Sequence, residues 1–351
     1  MRSSTHGYAV ATELETPLLA VRNLRVSFRT ARGVVRAVDD LSFALAPREI
    51  LGVVGESGSG KSISLLTVMG LVNDPNALIE GSIVYKGREL VGASRREMLA
   101  LRGGEIAMIF QDPMTAMTPV YTIGWQIVEQ IRAHQRVSGA TARKRAIELL
   151  GEVGISNPAA QFDRFPHQLS GGMRQRAVIA MALSCNPSVL IADEPTTALD
   201  VTVQAQILEL IRRLRRDFGS AVVLITHDMG VVAELADRVM VMYAGRVVEH
   251  GTTQELFRDS WHPYTWGLLA SIPPLEGERP RRLPAIPGAP PSQLGLPSGC
   301  AFAPRCSCRF EPCSSRPPVL AGAAHEAACF VPAERRHAAR AQLLAKGERV
   351  T

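Results

Sequence analysis

The chain has 351 residues, enough for two or three domains with cores of their own, and a net charge of +6. Hydrophobic residues at 46% and charged residues at 21% exclude a disordered, collagen-like or coiled-coil chain. No run approaches the roughly 20 apolar residues that cross a bilayer, and the excess charge sits in the tail, where eleven Lys and Arg face six Asp and Glu from Glu276 to Thr351.

The opening stretch, MRSSTHGYAVATELE, has no apolar core and carries Glu13 and Glu15, so no secretory signal is expected. A cytoplasmic setting follows, in which six cysteines stay reduced instead of pairing. The basic tail reads as a solvated surface, and no nucleic-acid role is expected of it. In chain order, strands are expected at Leu18 to Phe28, Ile50 to Val54, Ile79 to Tyr85, Ile106 to Phe110, Val189 to Ala192, Ala221 to Ile225 and Val239 to Tyr243, with helices between them. That alternation predicts an α/β fold with a mostly parallel sheet. Between about Gln111 and Met173 the β pattern lapses, and helical stretches at Gly124 to Val137 and Thr141 to Val153 suggest a helical insertion. A later helix places Val203, Ile207, Leu210, Ile211, Leu214 and Phe218 on one face, with Arg212, Arg213, Arg215 and Arg216 toward solvent. Near residue 260 the texture changes, and 12 of the 23 prolines fall between Pro273 and Pro318.

After Ile50 to Val54 comes Gly55-Glu56-Ser57-Gly58-Ser59-Gly60-Lys61-Ser62, leading into the helical run from Ile63. This is the G-x-x-x-x-G-K-[ST] pattern in its strand, loop and helix setting. Glycines let the backbone wrap a phosphate, so that N–H groups and the helix N-terminus face negative charge. Lys61 then reaches the β- and γ-phosphates, and the Ser62 hydroxyl ligates Mg²⁺. A second apolar strand, Val189 to Ala192, ends in Asp193 and Glu194. At the C-terminal edge of such a sheet Asp193 suits the Mg²⁺ shell, and Glu194 is placed to polarise an attacking water. His227 follows the strand from Ala221 and reads either as a γ-phosphate contact or as a structural histidine.

Leu169-Ser170-Gly171-Gly172-Met173-Arg174-Gln175-Arg176 has no purpose in a generic phosphate-loop enzyme, yet it resembles the signature motif of ATP-binding cassette (ABC) ATPases. In that family the motif closes over ATP bound by a second subunit. Met173 stands where Gln is commoner. Gln111 resembles the Q-loop, Ala198-Leu199-Asp200 the D-loop and His227 the switch histidine, and Phe28 sits where the family stacks an aromatic on adenine, although as a strand residue it reads equally as core. Phe110-Gln111-Asp112-Pro113-Met114-Thr115, Asp193 to Thr202 and His262-Pro263-Tyr264-Thr265 are similar to the ATPases of oligopeptide and dipeptide importers, as is the cysteine-bearing tail.

The resemblance implies a P-loop NTPase (RecA-like) cassette over 18–259 with a helical subdomain at about 112–173. A tail occupies 1–17 and an irregular cysteine-rich extension 260–351. ATP would be held by Phe28, Gly55, Glu56, Ser57, Gly58, Ser59, Gly60, Lys61, Ser62 and Ile63, with Mg²⁺ on Ser62, Gln111 and Asp193. Glu194, His227 and Gln111 would be catalytic, and Ser170, Gly171, Gly172 and Met173 would act on the partner's ATP. The implied assembly is peripheral, on the cytoplasmic face of the inner membrane. It comprises two transmembrane permease subunits, a second ABC ATPase (a different one, or another copy) and an extracytoplasmic solute-binding protein. The implied cargo is a peptide, with nickel, an opine or a glycoside as alternatives, and a soluble cassette acting on nucleic acid or ribosomes as the rival class.

Five cysteines cluster between residues 300 and 329, while Cys185 stands alone in an apparent buried helix. Four thiolates can hold zinc or an iron–sulfur cluster, and either would staple a segment lacking a core. The spacings match neither ferredoxin patterns nor paired C-x-x-C zinc knuckles, so zinc, iron–sulfur and no metal all stay open. The resemblance implies a [4Fe-4S] cluster on Cys300, Cys306, Cys313 and Cys329, with Cys308 as an extra thiol. His325 reads as an exposed loop residue or a substitute ligand.

Overall fold

The computed structural model describes residues 16–112, 116–196, 199–272 and 285–348. The motif residues Pro113, Met114, Thr115, Thr197 and Ala198, and nearly all of the 1–17 tail, lie outside the described residues. The strands are β1 (Leu19–Thr30), β2 (Gly33–Leu45), β3 (Ile50–Val54), β4 (Ala77–Tyr85), β5 (Arg88–Glu89), β6 (Ile106–Ile109), β7 (Val189–Asp193), β8 (Ala221–Ile225), β9 (Arg238–Tyr243), β10 (Arg246–Thr252), β11 (Ala321–Gly322) and β12 (Glu326–Ala327). The helices are α1 (Lys61–Val68), α2 (Arg95–Leu101), α3 (Ile123–His134), α4 (Gly139–Glu152), α5 (Pro158–Phe162), α6 (Gly171–Leu183), α7 (Val201–Arg213), α8 (Met229–Leu235), α9 (Thr253–Asp259), α10 (Pro263–Ala270), α11 (Pro312–Ser315) and α12 (Ala333–Glu348).

Strands β9, β3, β8, β7 and β6 lie parallel in that order, and every residue of β3, β7 and β8 is buried. Continuous apolar runs are what a sheet covered on both faces requires. Because side chains alternate, Leu190 and Ala192 enter one core with the helices, while Val189 and Ile191 enter the other with α1 and a second sheet. That second sheet, ordered β2-β1-β4-β5, is antiparallel. The long hairpin partner β2 and the antiparallel strand β10 escape the expected strand set. In β2, Arg36, Asp39 and Asp40 break the apolar alternation, and in β10 Glu249 occupies a fully buried position.

The helical insertion is present as α3 to α6. Helices α3 and α4 start on side-chain caps: Thr122 accepts from Trp125 N–H at 3.3 Å and Ser138 from Thr141 N–H at 3.1 Å. At Gly124 a Cβ would lie 2.2 Å from the Phe162 ring, so only glycine lets α3 pack this closely on α5. Cys185 is half-buried just past the end of α6, not inside a helix. In α7, Val203, Ile207, Leu210, Ile211 and Leu214 are buried as expected, but Phe218 is 52% exposed. A π-helical turn over Leu214–Phe218 widens the last turn and rotates Phe218 off the apolar face. The arginines there are not simply wet: Arg215 pairs with Asp237 at 2.9 Å and Arg212 with Glu234.

The region after residue 260 is irregular, yet it is stitched into the main sheet. β12 pairs with β10, and β11 with β12, extending that sheet to eight strands. His325 is buried there, contrary to the exposed-loop expectation. Its Nε2 lies 2.8 Å from Glu249 Oε1 and its ring stacks on Trp261, which places a hydrogen-bond partner and an aromatic face where solvent was expected.

Candidate nucleotide site

The C-terminal ends of β3, β6, β7 and β8 deliver Gly55, Gln111, Glu194 and His227 to one edge of the sheet, where parallel α/β sheets place ligand chemistry. The loop from β3 to α1 is made by its glycines. A Cβ on Gly55 would lie 2.2 Å from the Met242 carbonyl oxygen and one on Gly60 2.5 Å from that of Ala37, and both residues have positive φ. Lys61 opens α1, and its Nζ donates to the carbonyls of Gly55 (2.7 Å) and Glu56 (2.9 Å) and to Ser59 Oγ (3.3 Å). Burial pulls this ammonium below its usual pKa, while the charges of Glu194, Asp193 and Glu56 oppose that fall. The loop is thus an enclosed cationic cradle with N–H groups around it.

Asp193 ends β7, and the Ser62 hydroxyl hydrogen-bonds to it. Its Oδ1 is buried without a hydrogen-bond partner among the described residues. Burial raises the pKa of this carboxyl, and Ser62 and Lys61 hold the rise in check. An orphaned carboxylate oxygen beside a serine hydroxyl is a donor set that suits Mg²⁺, a hard cation that takes few protein ligands. Next in the chain, Glu194 adopts φ of 48°, a left-handed conformation that turns its side chain off the strand line. Its N–H still bonds the Ile225 carbonyl at 2.9 Å. Gln111 Nε2 donates to Glu194 Oε2 at 3.2 Å, and His227 Nδ1 lies 3.5 Å from Oε1. Glu194 is 17% exposed and His227 65%, so the carboxylate is sheltered between two groups at the open side of the site.

The structure therefore gathers Lys61, Ser62, Asp193, Glu194, Gln111 and His227. Ser57 and Gly58 are exposed at the loop tip, Ser59 is buried beneath it, and Ile63 is half-buried on α1. Phe28 is half-buried on β1, facing Val35 and Ala77 across its two pairings. The signature residues are elsewhere. Ser170 caps α6 by accepting from Met173 N–H at 3.3 Å, and Gly172 and Met173 line a separate hollow with Leu199 and Asp200, which none of the phosphate-loop residues enters. A link runs back along α6: Gln175 Nε2 donates to the Pro195 carbonyl, next to Glu194, at 3.0 Å.

The expected iron–sulfur cluster finds no support among the described residues. All six thiols are free, and among the described residues no group of three or more His, Cys, Asp or Glu is placed to hold a metal ion. Cys300 meets Cys313 through backbone N–H···O at 2.8 Å, Cys306 Sγ accepts from Cys308 N–H, and Cys329 Sγ accepts from Val331 N–H. Burial pushes Cys300 up and Cys329 up to about 11, and hydrogen bonding to Cys308 together with burial raises Cys306. The structure supports no [4Fe-4S] cluster on these residues. Arg305, by contrast, lies between two of the cysteines and reaches Glu56 in the phosphate loop, a contact that no local pattern could have revealed.

Comparison with known proteins gives the chain a family. The family profile described as ABC transporter matches residues 38–197, and that described as the oligopeptide/dipeptide transporter C-terminal region matches residues 248–313. The chain is 52% identical over 304 residues to a putative peptide import ATP-binding protein of Brucella abortus, covering 87% of this chain and 91% of that one. To the oligopeptide transport ATP-binding protein of Bacillus subtilis it is 53% identical, covering 83% of this chain and 82% of the relative. A dimeric ATP-binding cassette in a post-hydrolysis state with ADP and Pi superposes with a TM-score of 0.62 at 27% identity, over 67% of this chain and 98% of that one.

Proposed function

The chain belongs to the ABC transporter family, and from that premise we propose that it is the ATP-hydrolysing subunit of an importer that takes up oligopeptides or dipeptides. The observation that carries this reading is the convergence of Lys61, Ser62 and Asp193 with a Glu194 held between Gln111 and His227.

In this reading Lys61 and the loop N–H groups bind the β- and γ-phosphates, and Ser62, Asp193 and Gln111 hold Mg²⁺. When bound, that ion neutralises phosphate charge. Glu194 accepts a proton from the attacking water, and Gln111 and His227 fix its two oxygens so that one orientation is kept. Phe28 supplies an aromatic face for adenine. Ser170, Gly171 and Gly172 offer a hydroxyl and helix N-terminal N–H groups to an anion, but they sit apart from their own phosphate loop, so they serve ATP bound to a second cassette. That partner is most simply a different ATPase chain, with a second copy of this one as the alternative.

Among the described residues no helix is long and apolar enough to cross a membrane, so in this reading two permease subunits supply the pathway. The cassette docks on their cytoplasmic face through its helical subdomain, and an extracytoplasmic binding protein delivers cargo. Residues 18–259 form the motor and 260–351 a brace on it. The test is to purify the tagged chain from its own membranes in mild detergent, identify its partners by mass spectrometry, and measure ATP turnover with and without peptide-loaded binding protein. Two polytopic subunits and peptide-stimulated turnover are expected. Ribosomal or DNA-bound partners, or stimulation by nickel, an opine or a glycoside alone, would overturn the peptide reading.

A further inference from the structure

We infer that Arg305, from the cysteine-bearing extension, is a positioning residue for the phosphate loop: it pairs with Glu56 and keeps that carboxylate out of the anion cradle. The inference deepens the ATPase reading above and rests on it. Glu56 is an awkward residue for its place, since it puts a negative charge second in a loop whose N–H groups are there to attract phosphate. Arg305 answers it with a fork, Nη1 to Oε2 at 2.5 Å and Nη2 to Oε1 at 2.9 Å, across 249 positions of sequence.

The arginine is itself fixed. Its side chain is 5% exposed, its Nε donates to the Pro287 carbonyl at 2.9 Å, and Nη1 lies 3.3 Å from the Tyr243 hydroxyl. The same region grips the loop backbone twice more. Glu56 N–H donates to the Tyr264 hydroxyl at 2.7 Å, and Gln293 Nε2 donates to the Gly58 carbonyl at 3.1 Å. The loop's shape is therefore set partly by α10 and the extension, from outside the strand and helix that carry it. A bidentate pair in a sheltered site holds direction as well as charge, and lysine cannot reproduce it. Losing Arg305 would free the Glu56 carboxylate to turn toward the phosphates.

The test compares the wild-type complex with complexes carrying Arg305→Gln, Arg305→Lys, Glu56→Gln or the double change, reading KM for ATP, kcat and direct MgATP binding. Arg305→Gln should raise KM and the MgATP Kd about tenfold while kcat stays within about threefold, because loop placement affects ground and transition states alike. Arg305→Lys should recover only part of this loss. Glu56→Gln in the Arg305→Gln background should restore KM to within about threefold of Glu56→Gln alone, since no stranded carboxylate then remains. Unchanged KM in Arg305→Gln, or a double variant as weak as Arg305→Gln, would overturn the inference. If Arg305→Gln does not assemble, a double variant that assembles with KM within about threefold of Glu56→Gln alone supports it, and one that also fails to assemble makes Arg305 a folding residue and overturns it. A wild-type complex without ATP turnover would instead sink the reading of function.

Discussion

His227 Nδ1 lies 3.5 Å from Glu194 Oε1 while Gln111 donates to the other oxygen of the same carboxylate. Groups from two neighbouring strand ends thus flank one side chain whose own backbone sits in a left-handed conformation. That arrangement suits a group that must receive a proton in a single orientation. Glu194→Gln keeps the size and the hydrogen bond to Gln111 but removes the base. Turnover in the purified complex should fall by roughly 10²- to 10⁴-fold, with MgATP binding unchanged. Near-normal turnover would take the base assignment away from Glu194.

Asp193 carries a pH signature of its own. Burial raises its pKa, so the folded chain holds this proton up to a higher pH than the unfolded chain does. Stability contributed by the group therefore declines as pH rises past the ordinary carboxylate range, and at neutral pH the ionised form burdens the nucleotide-free fold. Asp193→Asn should raise the Tm of the nucleotide-free protein at pH 7.5, and the gain should shrink on acidification toward pH 4. The same variant should lose Mg²⁺-dependent nucleotide binding. An unchanged Tm at both pH values would mean that the buried carboxylate is better compensated than its orphaned Oδ1 indicates.

His262 marks an acid-sensitive joint under the extension. It is fully buried at the start of α10, its Nδ1 accepts from Tyr264 N–H at 3.0 Å, and burial holds its pKa at about 4. Above pH 6.5 the folded and unfolded forms are both neutral. Between pH 6.5 and 4 the unfolded histidine takes a proton that the folded one refuses, so stability falls on acidification, by roughly 3 kcal/mol at pH 4. Asparagine caps helices well and does not titrate, so His262→Asn should flatten the acid side of the Tm profile between those limits. An acid limb as steep as that of the wild type would place the sensitivity elsewhere.

What could be read from the chain follows from the range of the forces involved. Gly55 to Ser62 and Asp193 to Glu194 are legible because loop, helix start and strand end are contiguous, so residue type and spacing fix the local geometry. The helical face of α7 is legible as far as Leu214 and then fails at Phe218, because a π turn leaves no mark in apolar spacing. Strand β10 hides because its central Glu249 looks like a surface residue until His325 and the N–H of His262 arrive from distant positions. The Arg305 pair with Glu56 is invisible for the same reason. The cysteine spacings show clustering, but clustering alone does not say where each sulfur points.

Ser170 does two jobs that can be separated. It caps α6 through Met173 N–H, and in the proposed closed pair of cassettes its hydroxyl contacts the partner's phosphate. Ser170→Ala should cost about 1 kcal/mol of stability from the lost cap as well as the phosphate contact, so its phenotype is ambiguous. Aspartate caps as well as serine does but brings a negative charge to an anion site, so Ser170→Asp should hold the Tm near the wild-type value while abolishing most ATP turnover. If the signature acts across subunits, a complex with Ser170→Asp in this chain loses hydrolysis at the site built on the partner's phosphate loop, while this chain's own loop still binds MgATP. Wild-type turnover by Ser170→Asp, or loss of MgATP binding to its own chain's loop, would mean that Ser170 does not act across the interface.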